Sequence, residues 1–151
     1  MLIIPIALSS FGQTSNVNEK RWSNTTPLTE SDFQMTVARS DHNQCFAQFS
    51  INYSVNGFDF MTKNFNQKVD CIMYRSSSWL NESAADKARL IQFQQILFDI
   101  SELYARKFRK RLLENRKKIV HGTLIVEELN EQVMKEFTEE RAQFEKESDG
   151  G

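Results

Sequence analysis

From Cys45 to Tyr53 apolar and polar side chains alternate. Cys45, Ala47, Phe49, Ile51 and Tyr53 fall on one side, Phe46, Gln48, Ser50 and Asn52 on the other. A period of two predicts a half-buried strand. Asn56-Gly57 follows, the dipeptide best suited to a tight hairpin because both residues tolerate positive φ. Phe58–Met61 is then the return strand and Lys68–Tyr74 another, a small antiparallel meander. Beyond it the period becomes helical. Ser83, with Asp86 three residues on, reads as the N-cap of a long helix ending near Lys117. Leu90, Phe93, Leu97, Ile100, Tyr104, Phe108 and Leu112 recur at spacings of three and four and form one apolar stripe. Gly122 suits a helix C-cap turn and Thr123 caps a second helix, whose stripe is Val126, Leu129, Val133, Phe137 and Phe144. Strands first and a helical pair last predict an α+β fold, a small antiparallel sheet followed by two long helices.

Composition narrows this picture. A chain of 151 residues with 26% charged and 40% hydrophobic residues suits one globular domain. The expected organisation is a signal remnant over 1–13, an irregular segment over 14–42 and the α+β domain over 43–151, with 22–151 counted as one globular unit. Residues 1–13 are apolar and then small and polar, as in the later regions of a secretory signal. No Lys or Arg precedes the apolar run, so the start would lie inside a longer signal; a buried first strand is the alternative. The signal reading predicts a secreted or periplasmic protein. No stretch approaches the roughly 20 apolar residues of a transmembrane helix.

Net charge is −1, so nothing global points to nucleic acid or an acidic membrane surface, and no nucleic-acid partner is expected. The charge is nevertheless uneven. Arg106–Lys118 holds eight basic residues against the single acid Glu114, and 127–147 is rich in acids. Two oppositely charged helices side by side account for this; a polyanion- or membrane-surface-binding face over 106–118 is the other reading. Cys45 and Cys71 are the only cysteines, and they are either one disulfide of an exported protein or two free thiols. With His42 alone near Cys45 and no second histidine at ligand spacing, they do not make a zinc site.

The stretch Phe98-Asp99-Ile100-Ser101-Glu102-Leu103-Tyr104-Ala105-Arg106 resembles a bacterial family of predicted secreted zinc-dependent proteases, a domain of unknown function. That family carries His-Glu-Gln-x-His-Phe-Asp-Ile-x-Glu-Leu-x-Ala-Arg at this place. The resemblance extends over most of the chain. Trp22, Pro27-Leu28-Thr29 and Asp32-Phe33 are similar to the family's opening Trp…Pro-Leu-Thr-Trp-x-Asp-Phe, with Glu30 in place of its second Trp. Ser78-Trp79 is similar to the Ser-Trp before its helix, and Phe144–Gly150 to a softened Tyr-Asp-x-Glu-Thr-x-His. A zincin-like layout with a degenerate active-site helix is what the resemblance implies.

In H-E-x-x-H two histidines four apart bind zinc from one helix face, and the glutamate between them deprotonates the metal-bound water. The first histidine position is Phe93 here, the glutamate Gln94 and the second histidine Leu97; the family's C-terminal histidine falls on Gly150. Phe93 and Leu97 offer no lone pair, and Gln94 keeps a glutamate's shape but takes no proton at neutral pH. The resemblance therefore implies no catalytic residue, no metal and no cofactor. At about 100° per residue, Phe93 and Leu97 share the apolar stripe, Glu102 lies roughly opposite as a surface or inter-helix partner of a residue such as Arg106, and Asp99 also points away from Phe93, a candidate to hydrogen-bond to the strand layer.

His42 sits in a polar loop and His121 in the turn between the helices, neither with a second histidine at ligand spacing. Ser76-Ser77-Ser78 reads as a turn leading into the helix. Three functions follow as hypotheses. The first is an exported, non-catalytic relative of the protease family that binds an unknown protein or peptide or serves as a structural support. The second is a hydrolase with relocated residues drawn from Gln94, Asp99, Glu102 and His121. The third is the polyanion or membrane-surface module.

Overall fold

The computed structural model describes residues 16–37 and 44–148; the signal remnant, His42 and Gly150 lie outside them. Three strands, β1 (Glu19–Arg21), β2 (Cys45–Tyr53) and β3 (Val69–Leu80), precede two helices, α1 (Lys87–Ile119) and α2 (Leu124–Glu147). The fold is α+β, an antiparallel sheet followed by two long helices, as the periodicities predict. Strand order is β1-β3-β2, so β3 is central.

β2 alternates as expected, with Ala47, Phe49 and Ile51 buried. Its partner is β3, with Ile51 opposite Cys71 and Phe46 opposite Trp79. β3 runs through Ser76–Ser78, which is strand and not a turn. The register breaks between Phe46 and Gln48. There the Ser78 hydroxyl replaces the ladder, accepting from Gln48 N at 3.0 Å and donating to the Tyr74 carbonyl at 2.6 Å. A serine is needed at that point because an irregular ladder leaves buried backbone groups to satisfy.

The expected hairpin at Asn56-Gly57 and the return strand Phe58–Met61 do not form. Gly57–Met61 is a 3-10 helix. Asn56 is its N-cap, with its side chain accepting from Phe58 N at 3.0 Å, and the Asp59 carboxylate accepts from Asn56 N at 2.9 Å. This Asn-x-x-Asp box competes with the Asn-Gly turn signal and wins. A second box, earlier in the chain, follows the same rule. Thr29 precedes a 3-10 helix at Glu30–Asp32, and Asp32 accepts from Thr29 N at 2.8 Å.

The segment over 14–42, irregular by its sequence pattern, supplies the outer border of the sheet through its described residues. Beyond the β1 pairs, Arg75 N donates to the Asn18 carbonyl, Trp22 N to Cys71, Gln34 N to Arg75 and Met35 N to Ser78, all at 2.8–3.1 Å. Buried Asp32 clips this border to the sheet, bonding Lys20 of β1 at 2.7 Å and Arg75 of β3 at 3.1 Å. Burial alone raises the Asp32 carboxyl, but the Lys20 and Thr29 bonds outweigh it and hold it below the usual carboxylate range.

α1 starts at Lys87 because Asp86, not Ser83, is the N-cap and accepts from Arg89 N at 3.0 Å. It is buried on two faces rather than one. Phe93 and Tyr104 meet Phe144 and Phe137 of α2, while Phe98 stacks on Phe49 of β2 with ring centroids 4.8 Å apart. The helix therefore lies between the sheet and α2. It ends at Ile119, Gly122 takes the positive φ of 139° that the turn requires, and Thr123 occupies the N-cap of α2 without a side-chain cap bond. The charge runs meet across the helix pair through Arg111 and Glu136 at 2.7 Å.

Candidate functional site

α1 sets the three matched positions by its pitch. Phe93 and Leu97, four apart on the face toward α2, are 8% and 1% exposed. The Phe93 ring stacks on Phe144 at 5.5 Å between centroids with 21° between planes. A shallow hollow of about 210 Å³ opens beside this stack, walled by Arg89, Gln92, Phe93, Ile96, Phe144 and Ser148. Gln94 turns further round the helix and is 5% exposed, with its Oε1 bonded to no partner among the described residues. A phenyl and an isobutyl group give a metal nothing to bind, and one amide oxygen does not hold zinc alone. The residues do not fit a zinc ion. Among the described residues, no three of His, Cys, Asp and Glu gather as a ligand set elsewhere.

Glu102 is the second polar group of interest. It is buried, contrary to a surface position, because the helix face opposite Phe93 is the one covered by the sheet. Arg106 donates to it at 2.9 Å, as its i+4 spacing suggests, and Arg109 at 2.8 Å. Arg109 also donates twice to the Val69 carbonyl at 3.0 and 2.7 Å, which ties α1 to the start of β3. Spacing alone identifies Arg106; Arg109, seven residues on, becomes a partner only once β3 packs there.

Asp99 accepts from Trp22 Nε1 at 2.7 Å and from Gln95 Nε2 at 2.8 Å, and Gln95 Oε1 accepts from Leu28 N at 2.8 Å. Asp99 does reach toward the strand layer, through the residue that follows β1. The Arg106 guanidinium lies 5.0 Å from the Trp22 ring centroid. Trp22, Leu28, Thr29 and Asp32 thus anchor the N-terminal segment to α1 and the sheet. His121 stands exposed in the turn after α1, about 40 Å along the helix axis from Gln94 at 1.5 Å per residue. The structure therefore does not bring Gln94, Asp99, Glu102 and His121 together.

Cys45 and Cys71 are free thiols. Cys45 pairs with Leu80 and Cys71 with Ile51, so they lie six residues apart along β2. That is about 20 Å at strand spacing, against a limit near 7 Å for a disulfide. Burial pushes the Cys45 thiol up to about 12 and the Cys71 thiol further, which makes both poor nucleophiles. A wider cleft of about 610 Å³ is bordered by Glu30, Phe33, Gln34, Leu80, Asn81 and Lys87, at the end of the sheet where Cys45 pairs with Leu80. Lys87 and Glu30 pair across it at 3.1 Å. Comparison with models of known protein families, with curated proteins and with solved structures finds no match to this chain.

Proposed function

We propose that this chain is a non-catalytic, exported relative of the zinc-protease family, a binding or structural protein that keeps the helical frame and packs what was the metal face. The observation that carries this reading is the pairing of Phe93 with Phe144 beside fully buried Leu97. At the positions where the family would need two imidazoles and an open coordination site, this chain has an apolar seam between two helices. A neutral amide stands where a general base would have to accept a proton. The N-terminal motif supports the same reading: Trp22, Leu28 and Asp32 serve as packing and hydrogen-bonding anchors.

Metal analysis of the purified chain, combined with a peptide-cleavage assay with and without added zinc, tests the proposal. The expected result is less than stoichiometric zinc and a flat cleavage record in both conditions. Stoichiometric zinc with peptide cleavage overturns it.

A further inference from the structure

The end of the molecule remote from Phe93 joins exposed apolar side chains to uncompensated positive charge. In the 3-10 helix Gly57–Met61, Phe58 is 85% and Met61 72% exposed. Three residues apart in a helix of three residues per turn, they share one face. The turn that displays them is held rigidly. Asp59 takes hydrogen bonds from Asn56 and Thr62 and pairs with Lys68 at 2.9 Å, while Phe60 packs against the core. A side chain on Gly57 would lie 3.9 Å from the Ile119 carbonyl, so this turn borders the end of α1. Val120 and Leu124, in and just after the inter-helix turn, are 49% and 66% exposed.

The surrounding charge is basic. Lys63 joins Arg106, Arg109 and Lys110 around a depression of about 350 Å³ that also includes Asn64 and Asn66. The buried acid on this side, Glu102, is already neutralised by Arg106 and Arg109. Lys110 reaches Glu114 only at 3.9 Å in solvent, and Lys63, Lys117 and Lys118 have no ion-pair partner among the described residues. Basic residues in the last turn complement the helix dipole, but that accounts for neither Lys63 nor the outward Phe58 and Met61.

We infer that this end, with Phe58 and Met61 as the inserted side chains and Lys63, Lys110 and Lys117 as the headgroup contacts, docks on an anionic lipid surface. The inference stands apart from the family reading, since it uses none of Phe93, Gln94 or Leu97. Charge argues for an anionic lipid surface: the two outward apolar side chains, on the order of 300 Å² together, stand close in the chain to Lys63, and Lys63 shares its depression with Arg106, Arg109 and Lys110. Two side chains on a rigid turn are enough for shallow insertion when basic residues add attraction to anionic headgroups. Among the described residues no helix is long and apolar enough to cross a membrane, so contact through these helices is at the surface.

The test is co-sedimentation of the full chain with phosphatidylcholine vesicles containing about 30 mol% phosphatidylserine, alongside pure phosphatidylcholine vesicles and immobilised heparin. Binding is expected only to the anionic vesicles and to weaken steeply with salt. Phe58→Ser with Met61→Ser should weaken it by about tenfold or more, and Lys63→Gln with Lys117→Gln by a similar factor, with unchanged circular dichroism because all four side chains are outward. Absence of vesicle binding at low salt overturns the inference. So does vesicle or heparin binding that ignores Phe58 and Met61, which would indicate a polyanion site. A concentration-dependent dimer abolished by Phe58→Ser, without vesicle binding, overturns it in favour of a second copy.

Discussion

Gln94 and Glu102 are both polar, both nearly inaccessible and only about two turns apart on α1. Glu102 meets two guanidinium groups, one of which also holds the Val69 carbonyl. Gln94 leaves its carbonyl oxygen without a partner among the described residues. A buried polar group persists in a fold either because its neighbours satisfy it or because something other than stability put it there. Glu102 belongs to the first class and knits helix to sheet. On the proposed ancestry Gln94 belongs to the second, as the shape of a catalytic glutamate kept after the chemistry that required it; Trp79 Nε1 is likewise without a partner among the described residues.

The largest test of this contrast is Glu102→Ala. It strands Arg109 between α1 and β3 and should cost about 3–5 kcal/mol, read by urea denaturation; a loss near zero would mean that the Arg109 bonds to Val69 suffice alone. Gln94→Glu comes next, with an expected loss of about 2–3 kcal/mol at pH 7, because a carboxylate there gains no cation. Burial raises the folded-state pKa of such a group. Its penalty is therefore present at neutral pH and fades as pH falls toward about 4, where the carboxyl is neutral in both states. Thermal unfolding of the variant at several pH values measures this, and a pH-independent deficit would point to steric strain.

Asp32 sharpens the contrast from the other side, as a buried carboxylate with partners. Its folded pKa is lowered, so its contribution is complete above the unfolded value near 4 and is lost as pH drops through the folded one. Asp32→Asn should cost about 2 kcal/mol at neutral pH and flatten the acid limb of the stability profile. The smallest effect is the reverse in sign. Gln94→Leu removes the orphaned oxygen while keeping volume and should stabilise by about 1 kcal/mol; a loss of that size would show that the amide has a partner after all.

Much of this fold is legible in the sequence where one residue's period reflects one neighbour. β2 is read correctly because it buries one face, and the C-terminus of α1 because Gly122 is needed there. The N-terminus of α1 is misread by three residues, since Ser83 and Asp86 both suit an N-cap and only one accepts the orphaned amide of Arg89. The apolar stripe accounts for one face of α1 only, whereas Phe98, Ala105 and Glu102 bury a second face. β1 gives no signal at all: Glu19-Lys20-Arg21 has no alternation and becomes strand only by pairing with Ile72–Tyr74 some fifty residues away. At Asn56-Gly57 the turn signal misleads, although Asp59 three residues on spells a capping box. At the candidate site, the apolar placement of Phe93 and Leu97 follows from spacing alone. The unpartnered oxygen of Gln94 does not, because it depends on what α2 and the sheet fail to provide.

The border formed by residues 18–22 and 34–35 has a consequence for how the protein would fail. These residues supply or receive the outward backbone bonds at Cys71, Arg75 and Ser78, and without them a twelve-residue strand would present a bare edge to any passing chain. Loosening the Asp32 clip would first release this cover and leave the helices packed beneath. The resulting species would be a largely folded molecule with an adhesive flank, so damage at this end should be seen as intermolecular sheet growth and precipitation before it is seen as unfolding.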